Sequence, residues 1–296
     1  MKKLAKDTRR VGLIANFDKM SCRAPVRKAC QLILKTGRTV LVDEPTARLT
    51  GLHVPTCLDA AQLTRQVDLL MVFGGDGTML RVAREVSGSR TPILGINAGG
   101  LGFLTGVQTH QLPLALRQIW AGQTQLESRP LMEASGQAGR RTFHQLALND
   151  FVVSRGAAPR LIELEVSVDD EILTRYRCDG LIVCSPTGST AYSLAAGGAV
   201  LSPSAEVFSI TPICPHTLSN RSVIVSMKSE VRIRILSEKV DTVLTADGQT
   251  TVPLKARDNV TIRRGRRSVQ LLHLAGSSFF ETLRQKLSWS GSSVRT

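Results

Sequence analysis

Aromatic side chains make up only 4% of this chain, and no apolar run approaches the roughly 20 residues that a membrane-spanning helix needs. The second absence argues against a helical membrane protein. The first, with no aromatic near the densest basic run, leaves no stacking platform for single-stranded nucleic acid. Six cysteines (Cys22, Cys30, Cys57, Cys178, Cys184 and Cys214) form no CxxC pair, and the five histidines are scattered. That argues against structural zinc and for reduced, mostly core thiols in a cytoplasmic setting. The N-terminal MKKLAKDTRR is charged with no apolar stretch behind it, so no signal peptide is expected. Walker-type GxxxxGK[ST], HExxH and GxSxG patterns are all missing.

Acidic residues are also few, 24 against 38 basic ones, for a net charge of +14. Such a surface attracts phosphate polymers, but it attracts polyanionic small substrates such as nucleotides equally well. The run Arg263-Arg264-Gly265-Arg266-Arg267 lies between two strand-like stretches and reads as a charged hairpin turn. A length of 296 residues predicts about two domains, and 42% hydrophobic residues provide a core for each.

Up to about Gly122, strand-like and helix-like segments alternate: a strand at 11–17, a helix with Val26, Ala29, Cys30 and Ile33 on one face, then strands at 39–42, 68–73 and 92–96. A helix at 113–120 closes the series, and such alternation implies βα units on a mainly parallel sheet. Beyond Leu126 the period becomes two, as in Ile162, Leu164, Val166 and Val168, or Val231, Ile233 and Ile235. The expected fold class is an α/β N-terminal domain (1–125), an all-β, sandwich-like C-terminal domain (126–276) and a C-terminal helix and tail (277–296). That helix carries Phe280, Leu283 and Leu287 on one face and is expected to pack back.

Three segments carry chemistry. Gly74-Gly75-Asp76-Gly77-Thr78 sits between a strand and a helix whose apolar face is Met79, Val82, Ala83 and Val86. Glycine-rich strand-to-helix turns present N–H groups and a helix N-terminus to anions. Asp76 would repel phosphate, so it suits a proton or a metal ion better; a plain capped turn is the structural alternative. A second glycine-rich loop at 99–106 follows the next strand, and the two together would line one crevice, unless its glycines serve only tight packing. In the β-rich half, Ser185-Pro186-Thr187-Gly188-Ser189-Thr190-Ala191-Tyr192 follows an apolar strand. Its hydroxyls suit ribose and amide groups, Tyr192 offers a flat face, and Ala191, Gly197 and Gly198 leave room for a bulky ligand.

These segments, with Gly95-Ile96-Asn97 to Thr105, Asn149-Asp150, Asp179-Gly180 and the stretch 211–221, resemble bacterial NAD kinase, in the same order and over nearly the whole chain. The resemblance implies transfer of the γ-phosphoryl group of ATP, or of another donor, to the 2′-hydroxyl of the adenosine ribose of NAD. Mg²⁺ or Mn²⁺ is implied as cofactor, with no residue named as its ligand, and a homodimer or homotetramer as assembly. Asp76 matches the catalytic base. Gly77 and Arg81 match positions near the dinucleotide phosphates, and Asn149 and Asp150 the pair at the adenine end. Arg160, Arg177 and Asp179 match further binding positions. Thr190, Ala191, Tyr192, Ser193, Leu194 and Ala195 match the loop against the ligand, with Cys214 and Gln249 as peripheral contacts.

Structural alternatives stand beside these roles: a β-turn for Asn149-Asp150, solvated strand residues for Arg160 and Arg177, a buried thiol for Cys214, and an ordinary hairpin turn for Asp247-Gly248. Ala195 stands where many relatives carry serine. GGDGT is shared with lipid kinases and phosphofructokinases, so a lipid or sphingoid kinase, or a non-catalytic nucleotide-binding regulator, remains the alternative function.

Overall fold

The computed structural model describes residues 8–100, 102–157, 160–216, 221–238 and 240–289. The chain divides into two compact units, Met1–Arg129 with Ser268–Thr296, and Pro130–Arg267.

The first unit is built on a parallel sheet. Strands Thr56–Cys57, Thr39–Asp43, Arg10–Ala15, Leu69–Gly74 and Ile93–Asn97 lie side by side in that order, and Leu271 pairs with Ile93 at the far edge. Leu69, Leu70, Met71, Val72 and Phe73 have no exposed surface, because helices cover both faces of a parallel sheet. Helices Arg23–Leu34 and Leu112–Trp120 bury Val26, Ala29, Ile33, Ala115 and Ile119 against Val11, Leu13, Met71 and Phe73. Each fully buried Val, Leu, Ile, Met or Phe among them is worth about 1.5–3 kcal/mol over exposure. On the opposite face a Cβ on Gly12 would lie 2.8 Å from Leu70 Cδ1 and 3.2 Å from Leu63. Glycine there lets helix Ala60–Thr64 approach the sheet. That helix and Glu44–Thr50 escape periodicity because they are short. Their signals are caps instead: Asp43 and Asp59 accept the N–H groups of Thr46 and Gln62, and Gly51 (φ 65°) ends the first.

The second unit is an antiparallel sandwich. One sheet runs Val223–Ser226, Val207–Ile213, Gly180–Cys184, Asp150–Arg155, Thr242–Ala246, Thr250–Leu254. The other runs Glu171–Cys178, Ile162–Val168, Val231–Ile235 and the first part of Asn259–Leu274. Their inner faces meet in one core, Phe151, Val153, Leu181, Val183, Phe208 and Leu244 against Ile162, Leu164, Val166, Val231, Ile233 and Val260. The alternation legible in the sequence is this inside–outside pleat.

Two expectations need correction. The Arg263–Arg267 run is no hairpin turn but part of the continuous strand Asn259–Leu274. Extended arginines project to solvent there, Arg264 Nη1 lies 3.0 Å from Glu206, and the Arg266 N–H donates to Glu133. A Cβ on Gly265 would lie 2.8 Å from the Leu131 carbonyl, so its glycine serves close strand approach rather than a turn. The C-terminal helix Phe279–Leu287 does pack onto the first unit, yet through Leu283 and through Phe279, whose ring stands 6.4 Å from that of Phe103. Phe280 faces outward, 61% exposed.

Candidate functional site

In the first unit, strand Leu69–Gly74 ends in Gly75, and Asp76 opens helix Asp76–Glu85. The turn is tight because Thr78 folds back over Gly74, where a Cβ would lie 2.7 Å from that of Thr78; Asn16 Nδ2 donates to Thr78 Oγ1 at 3.1 Å. The neighbouring strand Ile93–Asn97 delivers the second glycine-rich loop beside the first. The two are joined through the carboxylate. Asp76 Oδ2 accepts from Phe103 N at 2.8 Å, and Oδ1 accepts from Leu104 N at 3.1 Å and from Thr105 Oγ1 at 3.3 Å. A Cβ on Gly102 would lie 2.0 Å from Asp76 Oδ1, so glycine is what lets the loop close on the acid. Asn97 shapes that loop from below, accepting from Gly99 N at 2.6 Å and donating to Thr105 Oγ1 at 2.9 Å and to the Gly100 carbonyl. Gly77 is exposed. Arg81, one turn on, pairs with Glu85 at 2.9 Å and lies over the Phe17 ring at 5.7 Å. Leu101 falls outside the described residues.

In the second unit, Asp150 begins a strand rather than completing a β-turn, and Asn149 precedes it; both are buried. Asn149 accepts from Ser185 N at 2.9 Å through its carbonyl, while its side-chain Oδ1 is buried without a hydrogen-bond partner among the described residues. Burial and the nearby Asp247 charge push the Asp150 carboxyl up to about 7.

The loop at 185–196 folds over the outer face of the strands carrying these residues, with Ala196 against Val152, Ile182 and Cys184. Three of its hydroxyls bond backbone carbonyls, one of them at the strand end and two within the loop. Ser185 Oγ donates to the Leu148 carbonyl at 2.6 Å, Ser189 Oγ to Pro186 at 2.7 Å, and Thr190 Oγ1 to Thr187 at 3.2 Å. Ser193, fully buried, lies 3.2 Å from the Thr211 hydroxyl. Gly198 does not leave ligand space, as its composition suggests; a Cβ would lie 2.2 Å from Ser193 Oγ, so it permits close packing. Gly197 supplies a left-handed turn at φ 85°. Tyr192 is 49% exposed, with Ala191 and Leu194 half-buried and Ala195 exposed.

The remaining positions lie further out. Asp179 is half-buried and accepts from Arg155 Nε at 2.7 Å. Arg177 is exposed, 3.8 Å from Glu163; Arg160 and Gln249 are exposed. Cys214 is exposed at φ 45°, not a core thiol. Residues 217–220 of the 211–221 stretch lie outside the described residues. Sequence reasoning missed Arg155, which nothing local marks, and the inward role of Asp247. The hairpin turn there is real, with φ 51° and 64° at Asp247 and Gly248, but the Asp247 side chain turns into the protein. Among the described residues no group of three or more His, Cys, Asp or Glu side chains could hold a metal ion.

Residues 11–124 match the family described as the ATP-NAD kinase N-terminal domain, and residues 148–274 match the ATP-NAD kinase C-terminal domain. The chain is 40% identical over 278 residues to the NAD kinase of Desulforamulus reducens, covering 94% of this chain and 96% of that protein. It is 42% identical over 270 residues to the NAD kinase of an Acidovorax species, covering 91% and 90%. Among solved structures it superposes on yeast NADH kinase complexed with NADH at a TM-score of 0.85 and 25% identity, covering 98% of this chain and 90% of that one. For an NAD kinase from Archaeoglobus fulgidus in complex with ATP the TM-score is 0.74, again at 25% identity, covering 95% and 100%. With a parallel α/β unit bearing GGDGT and a β-sandwich bearing the Ser185–Tyr192 loop, the chain belongs to the NAD kinase family.

Proposed function

We propose that this chain phosphorylates NAD at the 2′-hydroxyl of its adenosine ribose, with ATP as donor, and that Asp76 is the base. The observation that carries the reading is the grip on Asp76: two backbone N–H groups and a hydroxyl hold its carboxylate in one orientation at the head of a helix. A carboxylate accepts about four hydrogen bonds, and of its two oxygens Oδ2 takes one from this grip, which leaves it room for a substrate hydroxyl. The 2′-oxygen attacks the γ-phosphorus, its proton passes to Asp76, and the bond to the β,γ-bridging oxygen breaks to release ADP. Little covalent chemistry falls to the protein; positioning supplies most of the rate.

Asn149 Oδ1, buried and without a hydrogen-bond partner among the described residues, suits an amino group at the adenine end, with Asp150 beside it and Tyr192 as a flat face. Arg81, Arg160, Arg177, Asp179 and Gln249 are further contacts in this reading. A divalent ion, Mg²⁺ or Mn²⁺, carried by the donor's phosphates belongs to this reading. Six free cysteines fit a reducing, cytoplasmic setting. The edge strand Glu171–Cys178, with Ile172 61% exposed, supports association as a homodimer or homotetramer.

The test is incubation with NAD, ATP and Mg²⁺ while NADP is measured; no product with any phosphoryl donor refutes the reading. Asp76→Asn should keep NAD binding and lose about 10²–10⁴ in turnover, the range of a general base. Full turnover in that variant would remove Asp76 from the role.

A further inference from the structure

The Asp247 carboxylate accepts hydrogen bonds from three consecutive backbone N–H groups: Leu148 at 3.1 Å to each oxygen, then Asn149 at 2.7 Å and Asp150 at 3.3 Å to Oδ1. In return the Asp247 N–H donates to the Asp150 carbonyl at 3.0 Å. A buried carboxylate in such a run of amides is charge-assisted and directional. It stands where the chain must leave Ala147, pass Asn149 and enter the strand at Asp150. The turn that bears it holds a non-glycine residue at φ 51°, which carries that side chain inward.

Two consequences meet at the pair it holds. Fixing the Asn149 N–H fixes the residue whose amide oxygen is buried and has no hydrogen-bond partner among the described residues. Asp150 also has the charge of the buried Asp247 carboxylate near it, with Cys184 opposite it in register across the sheet. Like charges so placed resist joint ionisation.

We propose that Asp247 is a positioning residue for the adenine end of NAD: through the N–H groups of Leu148, Asn149 and Asp150 its carboxylate aims Asn149 and sets its charge against Asp150. The proposal rests on the NAD kinase reading for the ligand, and its test is therefore NAD binding itself. Asp247→Asn keeps an oxygen acceptor and removes the charge; Asp247→Ala removes both. Calorimetric titration with NAD between pH 5.5 and 8.5 should show an inflection near pH 7 in the wild type, where the Asp150 proton is lost. In Asp247→Asn the inflection moves to lower pH, and NAD affinity falls roughly tenfold, the scale of weakened hydrogen bonds to a charged group. Turnover at saturating NAD stays within about threefold, since only binding is lost. A merely structural Asp247 would lower the melting temperature of both variants and leave the inflection in place, which overturns the proposal. So would wild-type affinity and profile in Asp247→Asn. A wild type that binds NAD with this profile yet makes no NADP refutes the kinase reading and leaves the clamp standing.

Discussion

Adding one methyl group at Gly102 tests the geometry around Asp76 more sharply than removing the acid. An alanine Cβ there would lie 2.0 Å from Asp76 Oδ1, 2.7 Å from its Cγ and 2.4 Å from Thr105 Oγ1. Ordinary contact begins at roughly 3.5 Å, so at least an ångström must be found by moving the loop or the carboxylate. Either movement breaks the bonds from Phe103 and Leu104, each worth about 1.5–3 kcal/mol as a hydrogen bond to a charged group. A displacement of this size at a reacting group costs about 10²-fold in rate. Stability should change far less in proportion: overpacking costs about 1–3 kcal/mol, at roughly 2–4 °C of melting temperature per kcal/mol. The assay is the initial rate of NADP formation at saturating NAD and ATP, with NAD affinity and melting temperature measured on the same preparation. Gly106→Ala is the control, because a Cβ there meets nothing within 4 Å. We expect kcat for Gly102→Ala to fall on the order of 10²-fold with NAD affinity little changed, and Gly106→Ala to match the wild type. A Gly102→Ala enzyme within twofold of wild-type kcat would show that the loop does not hold the working Asp76, and the argument from its grip would fail.

Two other outcomes follow from the same structure. Gly188→Ala would put a Cβ 2.1 Å from the Asn149 carbonyl oxygen, pushing the loop off the strand end; the KM for NAD should rise about tenfold or more with kcat less affected, and an unchanged KM would detach that loop from the ligand. Burial disfavours the Glu127 carboxylate, but His273 at 3.0 Å and Arg129 at 2.8 Å outweigh it and hold its pKa down at about 2 from 4.5. A depressed folded pKa means stability present above pH 4.5 and lost as pH falls toward 2. Urea midpoints of Glu127→Gln should therefore sit below wild type at neutral pH and fall less steeply between those values; parallel curves would refute the assignment.

Much of the fold was legible because short-range periodicity is what secondary structure imposes on a sequence. The buried run 69–73, the helix face Val26-Ala29-Cys30-Ile33 and the alternation of 162–168 each report on neighbours a few residues away. The position of Asp76 between a strand and a helix was legible for the same reason, as was the Asp247-Gly248 hairpin turn.

What those residues do with their side chains was not. Asp76 meets Phe103 across 27 residues, and Asp247 meets Asn149 across 98. Such partners are set by which strands lie side by side and in what register. The arginine run shows the limit from the other side: glycine among charges looks like a turn locally, and only the approach of Leu131 explains it within a strand. Gly102 and Gly188 likewise stand for close contacts with atoms distant in sequence. The sequence alone determined the elements, their order and the chemical groups at the site. Tertiary structure decided which of those groups are held, which are exposed and which glycines make room, because hydrogen bonds and steric exclusion act through space.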